Sequence, residues 1–282
     1  MDILIFNVGL GQCIFFYPRN SPDYGMMIDC GSTEQFNPVV FLINNHYLPY
    51  DRSVGKYLLS NLTLTNYDHD HFSGLPYLRN NVKINNVHFP KNLTSAEIIR
   101  LKPVVTEALL EVTDILDKYT GVAIDYNPPF VKHCFYLEKT PNTAIDTNQL
   151  SQLVFVTYKG TTICVPGDMT SPAWEKHLLN NRIQNLLAMT NIFIASHHGR
   201  EDGYNEKIFY YCKPECIILS DTHIKHDTQQ GMAQLYGSKV NGNGIYFFNG
   251  KTLDVRKTLT TRNDGHICIR IEDDKSRTYT SF

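Results

Sequence analysis

Four short apolar runs in this 282-residue chain each stop at aspartate or histidine, and that recurrence limits what the chain can fold into. Tyr57–Leu64 runs into Asp68-His69-Asp70-His71, and Thr161–Val165 into Pro166-Gly167-Asp168. Ile192–Ala195 runs into Ser196-His197-His198-Gly199, and Cys216–Leu219 into Ser220-Asp221-Thr222-His223-Ile224-Lys225-His226. A fifth run, Tyr24–Asp29, itself ends in aspartate just before Cys30-Gly31. Runs of this length and composition read as strands buried on both faces. One Asp or His after a strand is commonly a turn former. Repetition changes the weighing, because strand C-termini on one sheet edge lie near one another in α/β folds. Carboxylates and imidazoles gathered there suit a divalent transition metal.

The remaining chain alternates between strand and helix signals. Ile3–Val8 and Cys13–Tyr17 are apolar runs joined by Gly9-Leu10-Gly11-Gln12. A helical pattern covers Phe36 to Tyr47, and Val87-His88-Phe89-Pro90 reads as a brief strand. Thr94-x-x-Glu97 is a capping box. It opens what the spacing of Val105, Leu109, Val112, Leu116 and Tyr119 predicts to be the longest helix, with those residues on its buried face and Gly121 ending it. Val131–Leu137, Leu153–Tyr158 and Thr161–Val165 read as strands, the last two joined by the two-residue turn Lys159-Gly160. Ser171-Pro172 opens a further helix through Trp174, another passes through Ile208 and Tyr211, and Thr228–Tyr236 is predicted helical. Terminal strands are expected at Gly244–Phe248, Leu253–Arg256 and His266–Ile271. With no internal repeat, linker or low-complexity segment, one domain over residues 1–282 is expected, of α/β or α+β class.

Charge and cysteine content narrow the function classes. The formal net charge is −2 and the pI about 6.6, so there is no basic footprint for extensive nonspecific binding to duplex nucleic acid. The seven cysteines are scattered and odd in number, as expected of reduced core residues in a cytoplasmic protein. No window has the apolar length needed to cross a bilayer, and the first residues lack the basic and apolar regions of a signal peptide, so no membrane association is expected.

These motifs, in this order, resemble the metallo-β-lactamase-fold hydrolases, and in particular the soluble domain of ComEC-type competence proteins. The matching pieces are Phe6-Asn7-Val8-Gly9-Leu10-Gly11-Gln12, Ile28-Asp29-Cys30-Gly31, Asn66-x-Asp68-x-Asp70-His71-x-x-Gly74, Asn148-x-x-Ser151, Pro166-Gly167-Asp168, Ser196-His197-His198-Gly199 and His226. The resemblance implies an α+β fold, an αββα sandwich of two mixed sheets face to face with helices outside. It also implies a metal site at one sheet edge. Asp68 would serve one ion, Asp70 and His71 another, and Asp168 would bridge them. His197 would join or flank the site, and His226 would complete the second ion's ligands or touch substrate. Asp70, Asp168 and His226 would take part in catalysis. Asp29, Asn66 and His198 would stand behind the ligands or bind weakly, and Arg200 and Lys225 would hold a substrate phosphate.

One departure carries chemical weight. The family's ligand motif opens with histidine, where this chain has Asn66. A neutral carboxamide is a weak ligand, and the oxygen-rich remainder favours Mn²⁺ or Mg²⁺ over Zn²⁺ relative to a histidine-rich site. The cofactor expected is one or two divalent ions, Mn²⁺ or Zn²⁺. The activity implied is a metal-dependent phosphodiesterase or nuclease acting on DNA or a nucleotide through a metal-activated water. Asn66 motivates an alternative, a non-catalytic module that binds nucleic acid or a partner protein, such as one encoded in the same gene cluster. Thioester or lactam hydrolysis on the same fold is a third reading.

Overall fold

The computed structural model describes residues 1–121, 126–140, 145–222 and 229–282. Its first strands are β1 (Asp2–Ile5), β2 (Ile14–Tyr17), β3 (Met26–Ile28), β4 (Tyr50–Asp51), β5 (Lys56–Thr63) and β6 (Val82–His88). Then follow β7 (Val131–Phe135), β8 (Leu153–Tyr158), β9 (Thr161–Val165), β10 (Thr190–Ile194) and β11 (Cys216–Leu219). The chain closes with β12 (Ile245–Phe248), β13 (Leu253–Arg256), β14 (Thr258–Thr260), β15 (Ile267–Ile271) and β16 (Arg277–Ser281). One sheet has the order β13-β12-β16-β15-β1-β2-β3-β5-β4, with β6 also paired to β5; the other has the order β14-β11-β10-β9-β8-β7. Both are mixed. β3, β5 and β6 run parallel, as do β9, β10, β11 and β14.

Why the strands read as unbroken apolar runs is plain from their neighbours. In β1, Ile3 and Ile5 face the other sheet, where they meet Val154, Val156, Ile163 and Ile194, while Leu4 faces outward. That outer face is covered by the helices Pro38–Asn44, Leu75–Asn81, Ser95–Leu101 and Glu107–Lys118, through Val39, Leu42, Leu75, Ile98 and Leu109. On the second sheet, Phe155, Phe193 and Ile217 turn outward against Trp174, Ile183 and Leu187 of helices Ser171–His177 and Asn181–Ala188. Each central strand is therefore buried on both sides, which removes the polar alternation of a half-exposed sheet. Three apolar layers separate four layers of secondary structure, the expected αββα sandwich. No helix among the described residues is long and apolar enough to cross a membrane.

The expected long helix is two helices, Ser95–Leu101 and Glu107–Lys118. The Thr94 capping box forms as read. Pro103 then interrupts: it lacks an N–H and forces the preceding residue out of the helical region. Lys102 is accordingly extended, at φ −102° and ψ 133°, and Val105 lies in the exposed connection, half open to solvent, instead of on a buried stripe. Leu109, Val112 and Leu116 do form the buried face. β6 begins five residues before the strand expected at Val87, because alternate residues of Val82–Asn86 face solvent and dilute its apolar signal. The helix expected over Thr228–Tyr236 spans Met232–Gly237, with Thr228 outside the described residues.

His177, on the last turn of helix Ser171–His177, is buried with its Nε2 unpartnered. Burial disfavours the imidazolium and pulls its pKa from 6.5 down to about 4. The unfolded chain therefore binds this proton between pH 6.5 and 4 while the folded chain does not, so the group lowers stability as pH falls through that window. Replacing it, His177→Met, is expected to remove up to about 3 kcal/mol of the acid-side loss, measured as the wild-type minus variant difference in denaturant unfolding at pH 7 and pH 4.5.

Candidate metal centre

Parallel strands bring the site together. β3 and β5 lie side by side in one sheet and β9, β10 and β11 in the other, and their C-terminal ends share one rim of the sandwich. The turn after β5 passes through a short 3-10 segment, His69–His71, that presents Asp70 and His71. The backbone there is gripped from both sides: Cys30 N–H donates to the His71 carbonyl at 2.7 Å and Gln12 N–H to the Asp70 carbonyl at 3.3 Å. The approach is so close that a Cβ on Gly31 would come within 2.4 Å of the Asp70 carbonyl oxygen, so that position admits only glycine. Asp168 follows β9 through Gly167, whose φ of +59° and contact with Thr65 likewise leave no room for a side chain.

Asp70, His71, Asp168 and His198 form the centre: one ligand atom from each lies within 4.8 Å of all the others. His71 Nε2 is 3.0 Å and His198 Nε2 3.1 Å from the same oxygen, Asp168 Oδ1, and His198 Nε2 is 3.3 Å from Asp70 Oδ2. His71, Asp168 and His198 are buried, whereas the Asp70 side chain is about one-third exposed at the mouth. The tautomers follow from the second ring nitrogens. His198 Nδ1 faces the Ser220 carbonyl at 3.0 Å, an acceptor only, so it carries the proton. His71 Nδ1 faces Asp29 Oδ2 at 2.8 Å and does the same. Both Nε2 atoms, the ring positions left over for a ligand, then point at one anionic oxygen, and neither they nor Asp168 Oδ1 finds a well-aligned hydrogen bond.

Such a cluster needs positive charge at its middle. Burial alone would lower the His198 pKa, but Asp168 and Asp70 outweigh it and hold it up at about 9. The same opposition, burial against Asp168 and Asp29, leaves His71 well above its ordinary value. Asp168 stays well below the usual carboxylate range despite its burial, because both imidazoles face it. Without a metal, protons supply the charge. The donor set, two imidazole nitrogens and two carboxylates, fits a divalent ion that would displace them.

Asp29 stands behind His71. Its carboxylate accepts from Gln12 Nε2 and Thr65 N–H, each at 2.7 Å, and from the Thr65 hydroxyl as well as His71. Its own φ is +56°, a conformation that Asp and Asn tolerate better than most residues.

The structure distributes the other expected site residues differently. His198 sits in the group and His197 does not. Both adopt left-handed backbone, φ 54° and 49°, followed by Gly199 at 76°. This reversal turns the His198 ring back over the strand end. His197 instead faces Asp202 at 2.8 Å and accepts from Arg200 Nη1 at 3.2 Å, so both its nitrogens are engaged and Arg200 is held on it. Asp68 pairs with Lys102 and with the Thr147 hydroxyl, outside the four-residue group. Asn66 donates to Asn148 Oδ1 at 2.9 Å. Lys225 and His226 lie outside the described residues. Residues the sequence reading did not single out are Thr65, Ser220 and Lys102. Each is a common polar type whose role depends on a partner 22 to 36 positions away.

The chain folds as an αββα sandwich. Among solved structures, CmlA, a diiron β-hydroxylase from Streptomyces venezuelae, is similar at 12% identity and TM-score 0.53. The match covers 95% of this chain and 54% of CmlA, so the chain spans about half the length of that protein. YhfI from Bacillus subtilis, described as a metallo-β-lactamase fold protein, is similar at 11% identity and TM-score 0.48 over 94% of this chain and 98% of that one. Human tRNase Z, short form, is similar at 13% identity and TM-score 0.42 over 81% of this chain and 97% of that one. At these identities the likeness concerns the fold alone. No family model and no curated protein matches the sequence.

Because Asp29 keeps the His71 proton on Nδ1 and the ring in place, Asp29→Asn is expected to weaken Mn²⁺ or Zn²⁺ binding about 10- to 100-fold. A chelator-competition titration measures this, with the melting temperature as a check on folding.

Proposed function

We propose that this chain is a metal-dependent hydrolase whose substrate is a phosphodiester, in DNA or a nucleotide. The observation that carries the reading is the convergence of two Nε2 atoms, of His71 and His198, on one buried oxygen of Asp168 beside Asp70. Asp70, His71, Asp168 and His198 would hold the ion. A divalent ion there supplies Lewis acidity, lowering the pKa of a bound water and polarising the attacked phosphorus centre.

The chain's own residues do the remaining work. Ser220 and Asp29 hold both imidazoles by Nδ1, so that each ring is already oriented with Nε2 as its ligand atom, which limits reorganisation. Burial of Asp168 and both histidines keeps water from competing for those donors. Asp70, the exposed member, would be the carboxylate open to substrate and would accept a proton from the attacking water. Phosphodiesters are favoured over thioesters or lactams by the motifs' resemblance to those of competence proteins, and Mn²⁺ over Zn²⁺ by the two carboxylate donors. A second reading, a module that binds without hydrolysis, is favoured by the engagement of Asn66 and Asp68 with protein groups.

Purified protein with Mn²⁺ is expected to cleave labelled single-stranded DNA, double-stranded DNA, RNA or a cyclic dinucleotide, with activity at least 100-fold above Asp168→Ala. Equal rates for wild type and Asp168→Ala on every substrate and metal, in protein that carries its ion, would sink the hydrolase reading and leave the binding module.

A further inference from the structure

Pro103 ends helix Ser95–Leu101 and leaves Lys102 in an extended conformation, its side chain largely buried. From there the ammonium reaches 34 residues back to Asp68 Oδ1, which also accepts from Thr147 Oγ1 at 3.3 Å. Asp68 is the residue that precedes the His69–His71 turn, and its carbonyl accepts from His71 N–H at 3.0 Å, so this ion pair adjoins the metal centre through the backbone. Asn66 is engaged too: its amide donates to Asn148 and its oxygen accepts from Tyr67 N–H. Among the described residues, Asn66 and Asp68, the two side chains that the resemblance would assign to another ion, are therefore committed to protein partners, and of the two Asp68, the carboxylate, already carries a monovalent cation.

Building on the metal-hydrolase reading, we infer that this centre holds a single divalent ion, with the Lys102 ammonium on Asp68 taking the place of a second. An ammonium is a compact point charge with three donors. Seated on Asp68, it offsets that carboxylate's charge and repels a divalent ion that approaches the same oxygens. The chain thus keeps a fixed positive charge beside the ion without a second metal.

The test is a count of ions. Protein equilibrated with Mn²⁺ from micromolar to millimolar and then freed of unbound metal is measured by mass spectrometry of the metal, with electron paramagnetic resonance to detect coupled ion pairs. Wild type and Lys102→Arg are expected to saturate at one ion per chain and show no coupled-pair signal. Lys102→Met is expected to take a second ion at millimolar Mn²⁺. Asp68→Asn is expected to keep the first ion within about threefold of the wild-type affinity, whereas Asp168→Asn loses it. Two ions in wild type, one ion only in folded Lys102→Met, or loss of the first ion in Asp68→Asn would each overturn the inference while leaving a metal centre in place. No ion in wild type overturns both readings. One ion in wild type and two in Lys102→Met without any hydrolysis upholds the inference and removes the enzyme.

Discussion

The buried carboxylate of Asp29 is the point on which the rim depends. It accepts hydrogen bonds from Gln12 in the β1–β2 loop, and from the backbone and hydroxyl of Thr65 and from His71, at the two ends of the connection after β5. A charge fully enclosed in protein is stable only when its lone pairs are filled. Here the filling groups are also what closes the β1–β2 loop, the end of β5 and the ligand turn on one another. Losing any one partner would leave an unsatisfied charge in the interior, so the loops are held in a single arrangement, and the His71 ring is oriented as a by-product of satisfying Asp29.

Much of this was readable in the residues, and the exceptions have physical causes. Strands such as Leu153–Tyr158, Thr161–Val165 and Cys216–Leu219 announce themselves because both faces are buried. Asp70, His71 and Asp168 could be placed because each follows the C-terminus of a buried strand, although the expected single sheet edge is a rim shared by β5 of one sheet and β9 of the other. Which of His197 and His198 turns inward could not be read, because the answer lies in consecutive left-handed backbone conformations that no side-chain pattern reports. The partner of Asp68 was equally hidden. Lys102 looks like a surface residue within an amphipathic helix until Pro103 is recognised as ending that helix.

The centre's electrostatics show what such a cluster costs the metal-free chain. Two carboxylates and two imidazoles held at about 3 Å must bind protons to coexist, as the raised histidines and depressed Asp168 indicate. The left-handed residues His197 and His198 add backbone strain of order 1–3 kcal/mol each. Strain and buried charge gathered at the end of an otherwise regular strand are features that stability alone does not explain.

The ligands come in equal number from the two sheets, Asp70 and His71 from one, Asp168 and His198 from the other. Two bonds cross the seam close by, Ser220 Oγ to the Gly11 carbonyl at 2.8 Å and Gln152 N–H to the Thr65 carbonyl at 2.7 Å. The spacing of the donor atoms is therefore a vernier for how the two halves of the sandwich sit on each other. A slip of half an ångström between the layers, from a void opened among Ile5, Val156 and Ile194 deep below, would be registered at the rim as a mismatched cage.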